Sequence, residues 1–232
     1  MSVLAIIPAR GGSKRIPKKN IKDFLGKPII AYSIEAALES NIFDEVMVST
    51  DSSEIANVSR LYNASVPFVR SEQNSSDFAT TEDVLIEVIE QYKQCGRFFD
   101  VVCCIYSTAP FVTSKKLIDA YNLLIQNSEA DSVIPVVRYS FPPQRAMISR
   151  GGFVEYHYPE FAQTRSQDLE PIYHDCGQFY FCKTDSLLKY RDLICPKSLA
   201  FELSDEEVQD IDNISDWNIA QIKYQLMNKE RI

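Results

Sequence analysis

Short apolar runs alternate with segments of helical periodicity along most of the chain. Residues 2–7, SVLAII, form a continuous apolar run, as in strands that are buried on both faces. Further strands are predicted at EVMVST, SVPFVR, DVVCCIY, DSVIPVVRY and GQFYFCK. The alternation predicts an α/β protein with a mostly parallel sheet and helices on both faces, and a ligand site at the carboxyl edge of the strands.

Several of the predicted helices carry recognisable start signals. Pro28 suits a first helical turn, Ser52 or Ser53 can cap the next helix, and Thr80 with Asp83 resembles a capping box. The segment SDWNIAQIKYQLMNK is amphipathic. Its predicted inward positions are Trp217, Ala220, Tyr224 and Met227.

Residues 139–172 interrupt this rhythm. They are rich in proline, glycine and aromatic residues and show no helical period. The Gly-Gly pair at 151–152 predicts a hairpin turn. We expect one domain over residues 1–232, with 139–172 as an excursion that protrudes from the main sheet.

The bulk composition limits the classes of partner. The chain has 232 residues and a net charge of -8, which argues against nucleic acids and acidic membranes as partners. No apolar run approaches the roughly 20 residues of a membrane span, and the amino terminus lacks the features of a signal peptide. Six cysteines without a C-x-x-C pair and only two histidines make a zinc site improbable. We therefore expect a cytoplasmic protein with reduced thiols.

A basic stretch, IPARGGSKRIPKKN, follows the first predicted strand of this acidic chain. A Gly-Gly-Ser turn can point several backbone N–H groups at one anion, because glycine tolerates the required φ angles and permits close approach. The surrounding cations match a phosphate chain better than a single carboxylate; they are Arg10, Lys14, Arg15, Lys18 and Lys19. The pattern G-x-x-x-x-G-K-[ST] is absent, so this is a phosphate loop of another kind. The alternative is a solvated basic turn.

Asp210 and Asp212 lie two residues apart near the carboxyl end of the chain. In an extended segment both carboxylates face the same way, roughly 6 to 7 Å apart, and repel one another unless a cation lies between them. Mg²⁺ binds one or two carboxylates together with phosphate oxygens and water. The alternative is a solvated acidic loop, since SDEEVQDIDNISD is acidic throughout.

The stretch IPARGGSKRIPKKN closely resembles the signature of the acylneuraminate cytidylyltransferases, which make CMP-activated nonulosonic acids. The segments FDEVMVSTDSSEIA, VRSEQNSSDFATTEDV and QDIDNISDWNIAQ resemble further family segments in the same order. The resemblance implies a three-layer α/β/α, Rossmann-like nucleotidyltransferase fold. It also implies transfer of CMP from CTP to a nonulosonic acid, with Mg²⁺ as the cofactor.

The resemblance also assigns roles to individual residues. Lys19, Arg10 and Asp212 would be catalytic, and Asp210 and Asp212 would hold the metal. The nucleotide would be bound by Ala9, Arg10, Gly11, Gly12, Ser13, Lys19, Asn20, Arg70, Asp77 and Thr80. Lys19 would stabilise charge at the α-phosphate and on the leaving pyrophosphate. For Thr80, a helix cap is an equally good interpretation.

The acceptor sugar would be bound by residues after the fourth predicted strand and in the excursion. They are Tyr106, Thr108, Gln144, Arg145, Arg165 and Gln167. Tyr106 replaces the usual glutamine of the family and Val112 the usual arginine, which indicates an acceptor other than the commonest sialic acid. The segments PPQRA and YHDCGQFYF look most like the pseudaminic acid branch. For His174, beside Asp175, we favour a structural role over that of a base.

The family resemblance also implies a homodimer through the excursion. Alternative acceptors are N-acetylneuraminic and legionaminic acids. A phosphate-loop kinase or NTPase is a competing hypothesis, although the missing Gly-Lys-Ser/Thr counts against it. A protein of another class, which binds nucleotide without catalysis, is a third hypothesis. The retention of Lys19, Asp210 and Asp212 argues against it.

Overall fold

The computed structural model describes residues 1–229. The strands within these residues are β1 (Val3–Pro8), β2 (Asp23–Phe24), β3 (Lys27–Pro28), β4 (Glu45–Ser49), β5 (Val101–Ile105), β6 (Ser132–Arg138), β7 (Met147–Arg150), β8 (Phe153–Tyr156), β9 (Tyr173–Asp175), β10 (Phe179–Lys183) and β11 (Ser198–Leu203). The helices are α1 (Ile29–Ser40), α2 (Ser53–Leu61), α3 (Glu72–Ser75), α4 (Thr81–Gln94), α5 (Ser114–Gln126), α6 (Thr184–Tyr190) and α7 (Ile214–Lys229).

The main sheet has the strand order β11-β6-β10-β5-β1-β4, and β9 pairs with β6 beside this path. Strands β4, β1 and β5 pair in parallel, and β11 pairs in parallel with β6. Since β10 lies antiparallel to both β5 and β6, those two strands run in the same direction. The predicted mostly parallel α/β sheet is confirmed, with β9 and β10 as its reversed strands.

The reversed direction of β10 has a local cause. Strand β9 runs antiparallel to β6, and β10 continues antiparallel to the same strand after only three residues. Gly177 in this short connection has a φ of 60°, which glycine adopts readily. A return in the parallel direction requires a crossover of about a dozen residues, and this connection has no room for one.

The strand predicted at SVPFVR does not form. This segment makes only isolated bridges to the β4 region, between Met47 and Ser65 and between Thr50 and Val69. Pro67 lies between the two bridges and has no N–H to donate to a continuous ladder. The segment therefore runs beside β4 without extending the sheet.

Helices cover both faces of the sheet, as predicted. Val3, Ala5 and Ile7 of β1 pack in one core cluster, while Leu4 and Ile6 of the same strand pack in the other. The first cluster includes residues of α1, α2 and α5, and the second includes residues of α4 and α6. Full burial of β1 on both faces explains its continuous apolar run.

The last helix closes a third cluster around Phe24 and Phe111. Its predicted inward residues all belong to this cluster, so their inward position is confirmed: Trp217, Ala220, Tyr224 and Met227. The opposite face is not polar, because Ile219, Ile222 and Leu226 are exposed there, so the predicted amphipathic character is wrong for that face. No helix in the described part of the chain is long and apolar enough to cross a membrane.

The excursion at 139–172 forms its own small structure beside the main sheet. Strands β7 and β8 pair antiparallel as a separate two-stranded sheet. Gly151 and Gly152 have φ angles of 59° and 87°, so the predicted hairpin turn at this pair is confirmed.

The topology determines where a ligand can bind. From β1 the chain passes first to β4 on one side and later to β5 on the other. Connections therefore diverge at the carboxyl end of β1, and a crevice at such a switch point is the usual ligand site of open α/β sheets. The basic loop leaves β1 at this point.

Candidate functional site

A cleft of about 650 Å³ lies at the carboxyl edge of β1 and β5. Basic residues line one side, the 70–84 segment lines another, and two aspartates face the loop. The lining residues are Pro8, Arg10, Ser13, Lys14, Arg15, Ile16, Lys19, Asn20, Arg70, Asn74, Ser76, Asp77, Ala79, Thr80, Thr81, Val84, Tyr106, Ser107, Thr108, Asp210 and Asp212. A volume of this size is typical of small-molecule sites.

The basic loop is anchored to the ends of the neighbouring strands. The N–H of Ala9, which is buried, donates to the carbonyl of Ser49 at 2.9 Å. The amide of Asn20 donates to the Arg10 carbonyl at 2.9 Å and accepts from the Ser107 hydroxyl at 3.0 Å. Both ends of the buried Asn20 amide therefore hold the loop against the end of β5.

Gly11 is explained by close packing and not by an unusual backbone conformation. Gly11 and Gly12 do not have positive φ angles, so the expectation of a special backbone conformation is wrong for this turn. A Cβ atom at Gly11 would lie 3.1 Å from the Cβ of Ser52, which explains glycine there by close approach. The Gly11 N–H donates to Asp51 Oδ1 at 2.7 Å.

Arg10, Lys14 and Arg15 extend from this loop toward carboxylates of the cleft. Arg10 Nη1 lies 2.8 Å from Asp77 Oδ1, and Lys14 Nζ lies 2.5 Å from Asp77 Oδ2. Arg15 Nη1 lies 2.8 Å from Asp212 Oδ2. Three cations thus line one cleft, where they could make charge-assisted hydrogen bonds to a polyphosphate.

Lys19 is the half-buried cation of the loop. Its Nζ donates to the carbonyl of Ile211 at 2.7 Å, between the two predicted metal ligands. Burial lowers the pKa of Lys19, while Asp212 and Asp210 act in the opposite direction. A partly desolvated ammonium group interacts more strongly with developing negative charge than one in bulk water.

Asp210 and Asp212 flank the buried side chain of Ile211, and both line the cleft. Desolvation, followed by the neighbouring Asp212 carboxylate, raises the pKa of Asp210. Asp216 holds this turn by accepting the backbone N–H groups of Asp212 and Asn213 at 2.9 and 3.0 Å.

These two carboxylates suit Mg²⁺ that arrives with a phosphate ligand. Burial and then repulsion from Asp212 raise the pKa of Asp210, and a divalent cation would offset both effects. Within residues 1–229, no group of three or more His, Cys, Asp and Glu side chains can hold a metal ion by itself. Phosphate oxygens and water would therefore have to supply the remaining ligands, as is usual for Mg²⁺.

The 70–81 segment contributes a buried arginine and a helix cap. The Arg70 Nε donates to the Ser49 hydroxyl at 3.1 Å, and burial lowers the pKa of Arg70 to about 10. The Thr80 hydroxyl accepts the Asp83 N–H at 3.2 Å and donates to the Asp83 carboxylate at 3.0 Å. Thr80 therefore caps α4 and also lines the cleft.

Tyr106 and Thr108 form part of the cleft wall after β5. The Tyr106 hydroxyl lies 3.2 Å from the Thr81 hydroxyl, and its ring packs edge-on against Tyr180 at 5.6 Å. Burial raises the pKa of Tyr106 to about 12, so this phenol stays neutral at physiological pH.

The four remaining predicted acceptor residues lie in the excursion and do not line this cleft: Gln144, Arg145, Arg165 and Gln167. Gln144 donates to the Glu170 carbonyl at 2.8 Å, and Arg165 Nε donates to Asp168 at 2.7 Å. Arg145 Nη1 lies 3.4 Å from the Ser166 hydroxyl. The structure thus separates them from the phosphate loop, and their acceptor role stays a prediction.

Two of the residues that hold the loop, Asp51 and Ser107, had no predicted role. Asp51 accepts the Gly11 N–H, and Ser107 donates to Asn20. Asp51 follows β4 and Ser107 follows β5, and both strands flank β1. Polar residues directly after strands that neighbour the first one were the available signal.

The sheet, the basic loop at its switch point and the aspartates opposite it define a nucleotide-binding α/β enzyme of the phosphoryl-transfer type. A family model described as "Cytidylyltransferase" matches residues 4–177, which is well over half of the chain. The chain belongs to this cytidylyltransferase family and is a nucleotidyltransferase.

Individual relatives agree with this assignment. The chain is 44% identical to the pseudaminic acid cytidylyltransferase of Campylobacter jejuni, with 97% of each chain covered. It is 34% identical to the CMP-N,N'-diacetyllegionaminic acid synthase of Legionella pneumophila, with both chains fully covered. A structure of CMP:2-keto-3-deoxy-manno-octonic acid synthetase complexed with CTP has the same fold, with a TM-score of 0.72 and 18% identity over 99% of this chain and 100% of that one.

Proposed function

We propose that the protein transfers CMP from CTP to the anomeric 2-hydroxyl of a nonulosonic acid and releases pyrophosphate, with pseudaminic acid as the favoured acceptor. The observation that carries this proposal is the convergence of Arg10, Lys14, Arg15 and Lys19 on a cleft that also holds the Asp210–Asp212 pair. Such an arrangement can bind a triphosphate at several charges simultaneously.

In this reaction the acceptor oxygen attacks the α-phosphorus. The new bond joins that oxygen to phosphorus, and the bond between the α-phosphorus and the oxygen bridging to the β-phosphorus breaks. The hydroxyl proton passes to water, and pyrophosphate leaves with the electron pair of the broken P–O bond. Lys19 and Arg10 stabilise the charge that develops on the departing oxygens, while the rigid loop fixes the triphosphate for attack.

Mg²⁺ completes the proposal as a cofactor, held by Asp210 and Asp212. When bound, it would neutralise triphosphate charge and favour departure of pyrophosphate. Arg15 pairs with Asp212 at 2.8 Å. Arg15 is also a candidate for phosphate binding, so it could leave Asp212 for the triphosphate when the metal binds.

Two features favour pseudaminic acid over the other acceptors. The Campylobacter relative named for this acid is more similar to the chain than the Legionella relative named for diacetyllegionaminic acid, at 44% against 34% identity. In addition, Tyr106 and Val112 depart from the residues usual among sialic acid enzymes, and Tyr106 lines the cleft.

The proposal includes a homodimer in the cytoplasm, formed through the excursion. Phe141 and Phe153 are 88% and 82% exposed, and Met147 and Val154 are exposed as well. Large apolar side chains grouped on one small substructure support an interface there. In such a dimer, the excursion of one subunit would lie near the cleft of the other. Arg165 and Gln167 of that excursion would then have access to an acceptor bound in the cleft.

Mass spectrometry of the products tests the proposal. Purified protein is given CTP, MgCl₂ and equal amounts of pseudaminic, legionaminic, N-acetylneuraminic and 3-deoxy-octulosonic acids. We expect CMP-pseudaminic acid to dominate, with one pyrophosphate released per product. Conversion of CTP to CDP without pyrophosphate release would indicate a kinase or hydrolase instead. CTP binding without pyrophosphate release, whichever acid is offered, would favour the non-catalytic alternative.

A further inference from the structure

The Asp77 carboxylate binds the cations of the loop in the way that a phosphate group would. The two oxygens of Asp77 bind two different cations of the phosphate loop, Arg10 at 2.8 Å and Lys14 at 2.5 Å. Arg10 Nη1 also donates to the Ser76 carbonyl at 3.1 Å. Hydrogen bonds from Lys14 and Arg10 hold the pKa of Asp77 below its ordinary value, so Asp77 is ionised at neutral pH.

Asp77 lies in the short segment between α3 and α4, called the crest here, and both ends of this segment are fixed. Before it, the Ser71 N–H and the Asn74 amide bond to the Glu87 carboxylate of α4. After it, Thr80 caps the same helix. The crest itself is exposed, and Phe78 next to Asp77 is 94% exposed. The Asp77 ion pairs therefore attach an exposed crest to the loop, and both partners of each pair are accessible to solvent.

A carboxylate is a poor ligand for a triphosphate, because like charges repel. A triphosphate that binds Arg10 and Lys14 must therefore take them from Asp77. We propose that Asp77, which the family resemblance assigns to nucleotide binding, is an internal competitor of the phosphates for these two cations. This inference rests on the proposed function only in taking the loop as the phosphate site.

The proposal assigns Asp77 a definite effect on specificity. Phosphate groups that replace the carboxylate must make at least two charge-assisted hydrogen bonds to compensate for those that are lost. Pyrophosphate, the reaction product, must displace Asp77 as well. The carboxylate therefore weakens retention of product and selects for ligands that carry several phosphate charges.

Isothermal titration with inorganic pyrophosphate, in buffer without metal, tests this directly. We expect Asp77→Asn to bind pyrophosphate about threefold to tenfold more tightly than the natural protein, which corresponds to two exposed ion pairs of ordinary strength. Asp77→Glu keeps the competing charge and is expected to restore binding close to the natural value. Melting temperatures of the variants establish that each one is folded.

Glu54→Gln is the matched control. Glu54 pairs with Lys18 of the same loop at 2.8 Å, has comparable exposure, and does not line the cleft. Its removal changes the net charge equally and is expected to alter pyrophosphate affinity by less than about twofold. An equal gain in pyrophosphate affinity in Asp77→Asn and Glu54→Gln would show that the effect comes only from the change in net charge. That result would overturn the proposal.

Weaker or unchanged pyrophosphate binding in folded Asp77→Asn would also overturn the proposal, since Asp77 would then help phosphate binding or be neutral to it. CTP turnover of the natural protein is measured separately. One outcome is that the natural protein shows no turnover while Asp77→Asn still binds pyrophosphate more tightly than it does. That result would refute the proposed function but would support the proposal that Asp77 competes with phosphates.

Discussion

The phosphate loop and the excursion are both rich in candidate ligand-binding residues, but their side chains are held in opposite ways. Loop side chains bond to distant parts of the chain: Lys19 to Ile211, 192 residues away, and Arg10 to Asp77, 67 residues away. In the excursion, Arg165 bonds to Asp168, three residues away, and Gln144 bonds to the Glu170 backbone, 26 residues away.

This difference distinguishes the cleft residues from the predicted acceptor residues of the excursion. The contact of Lys19 with the Ile211 carbonyl fixes this cation before a triphosphate arrives, whereas Arg10 and Lys14 must first leave Asp77. The excursion residues are ordered by their own neighbourhood and leave apolar side chains exposed. The residues proposed to bind the nucleotide are therefore held by distant parts of the chain, whereas the predicted acceptor residues of the excursion are held only by their own neighbourhood.

The largest expected effect on activity comes from a residue of the phosphate loop. Lys19→Ala removes the half-buried ammonium group that lies beside the aspartate pair. We expect pyrophosphate release from CTP and pseudaminic acid to fall by at least about 100-fold, as for other groups that stabilise transition-state charge. The measurement is kcat by a coupled pyrophosphate assay, with circular dichroism to establish folding.

Lys115→Ala serves as the matched control for this variant. Lys115 is an exposed lysine of α5 that pairs with Asp119 and lies outside the cleft lining. Its loss is expected to leave kcat unchanged. Full activity in a folded Lys19→Ala protein would remove this lysine from the mechanism.

A second prediction concerns the aspartates opposite the loop. Asp210→Asn and Asp212→Asn are each expected to raise the Mg²⁺ concentration needed for half-maximal rate by about 10- to 100-fold. The reason is that each removes one of the two carboxylates available to the metal. Asp205→Asn, in the same acidic region but outside the cleft lining, is the control. An unchanged Mg²⁺ titration in both cleft variants would place the metal elsewhere.

A third prediction tests the excursion side of the comparison. Arg165→Ala is expected to raise the KM for the acceptor acid by about tenfold, the loss of one charge-assisted hydrogen bond, and to leave CTP affinity unchanged. Glu160→Ala, another charged residue of the excursion, is the control. Separate acceptor and CTP titrations distinguish the two halves of the site. A rise in the CTP constant alone would show that Arg165 does not serve the acceptor.

The same contrast explains how much of the molecule could be predicted from its sequence. Burial pattern revealed β1 and the sheet class, since an apolar run buried on both faces has a distinctive signal. The basic loop was predictable because its position after β1 places it at the carboxyl edge. The inward face of α7 was equally clear from Trp217 and Ala220.

What could not be predicted depended on pairings between distant segments. The sequence does not say that β10 inserts between β5 and β6 in reverse, because the three-residue link from β9 becomes visible only once β9 is paired. Likewise, the Gly11 N–H was expected to be free for phosphate, but Asp51 accepts it. Asp77 was assigned to the nucleotide, and nothing in its local pattern reveals its two cation partners.

The smallest expected effect is the pH dependence of kcat/KM for CTP, which depends on the loop cations. Burial lowers the pKa of Lys19, so this lysine loses its proton at a lower pH than an ordinary lysine as the pH rises. Because only the charged form stabilises the phosphates, we expect kcat/KM for CTP to decline severalfold across the alkaline range. Burial also lowers the pKa of Arg70, a second cleft cation, to about 10.

Lys19→Arg distinguishes the two groups. A guanidinium at position 19 remains charged well above pH 10, so the alkaline limb of kcat/KM should move to higher pH even if the maximal rate is reduced. An unmoved limb would assign the titration to Arg70 or to another group. Because the limb of kcat/KM reports the free enzyme, its displacement would tie the ammonium beside Ile211 to the capture of CTP.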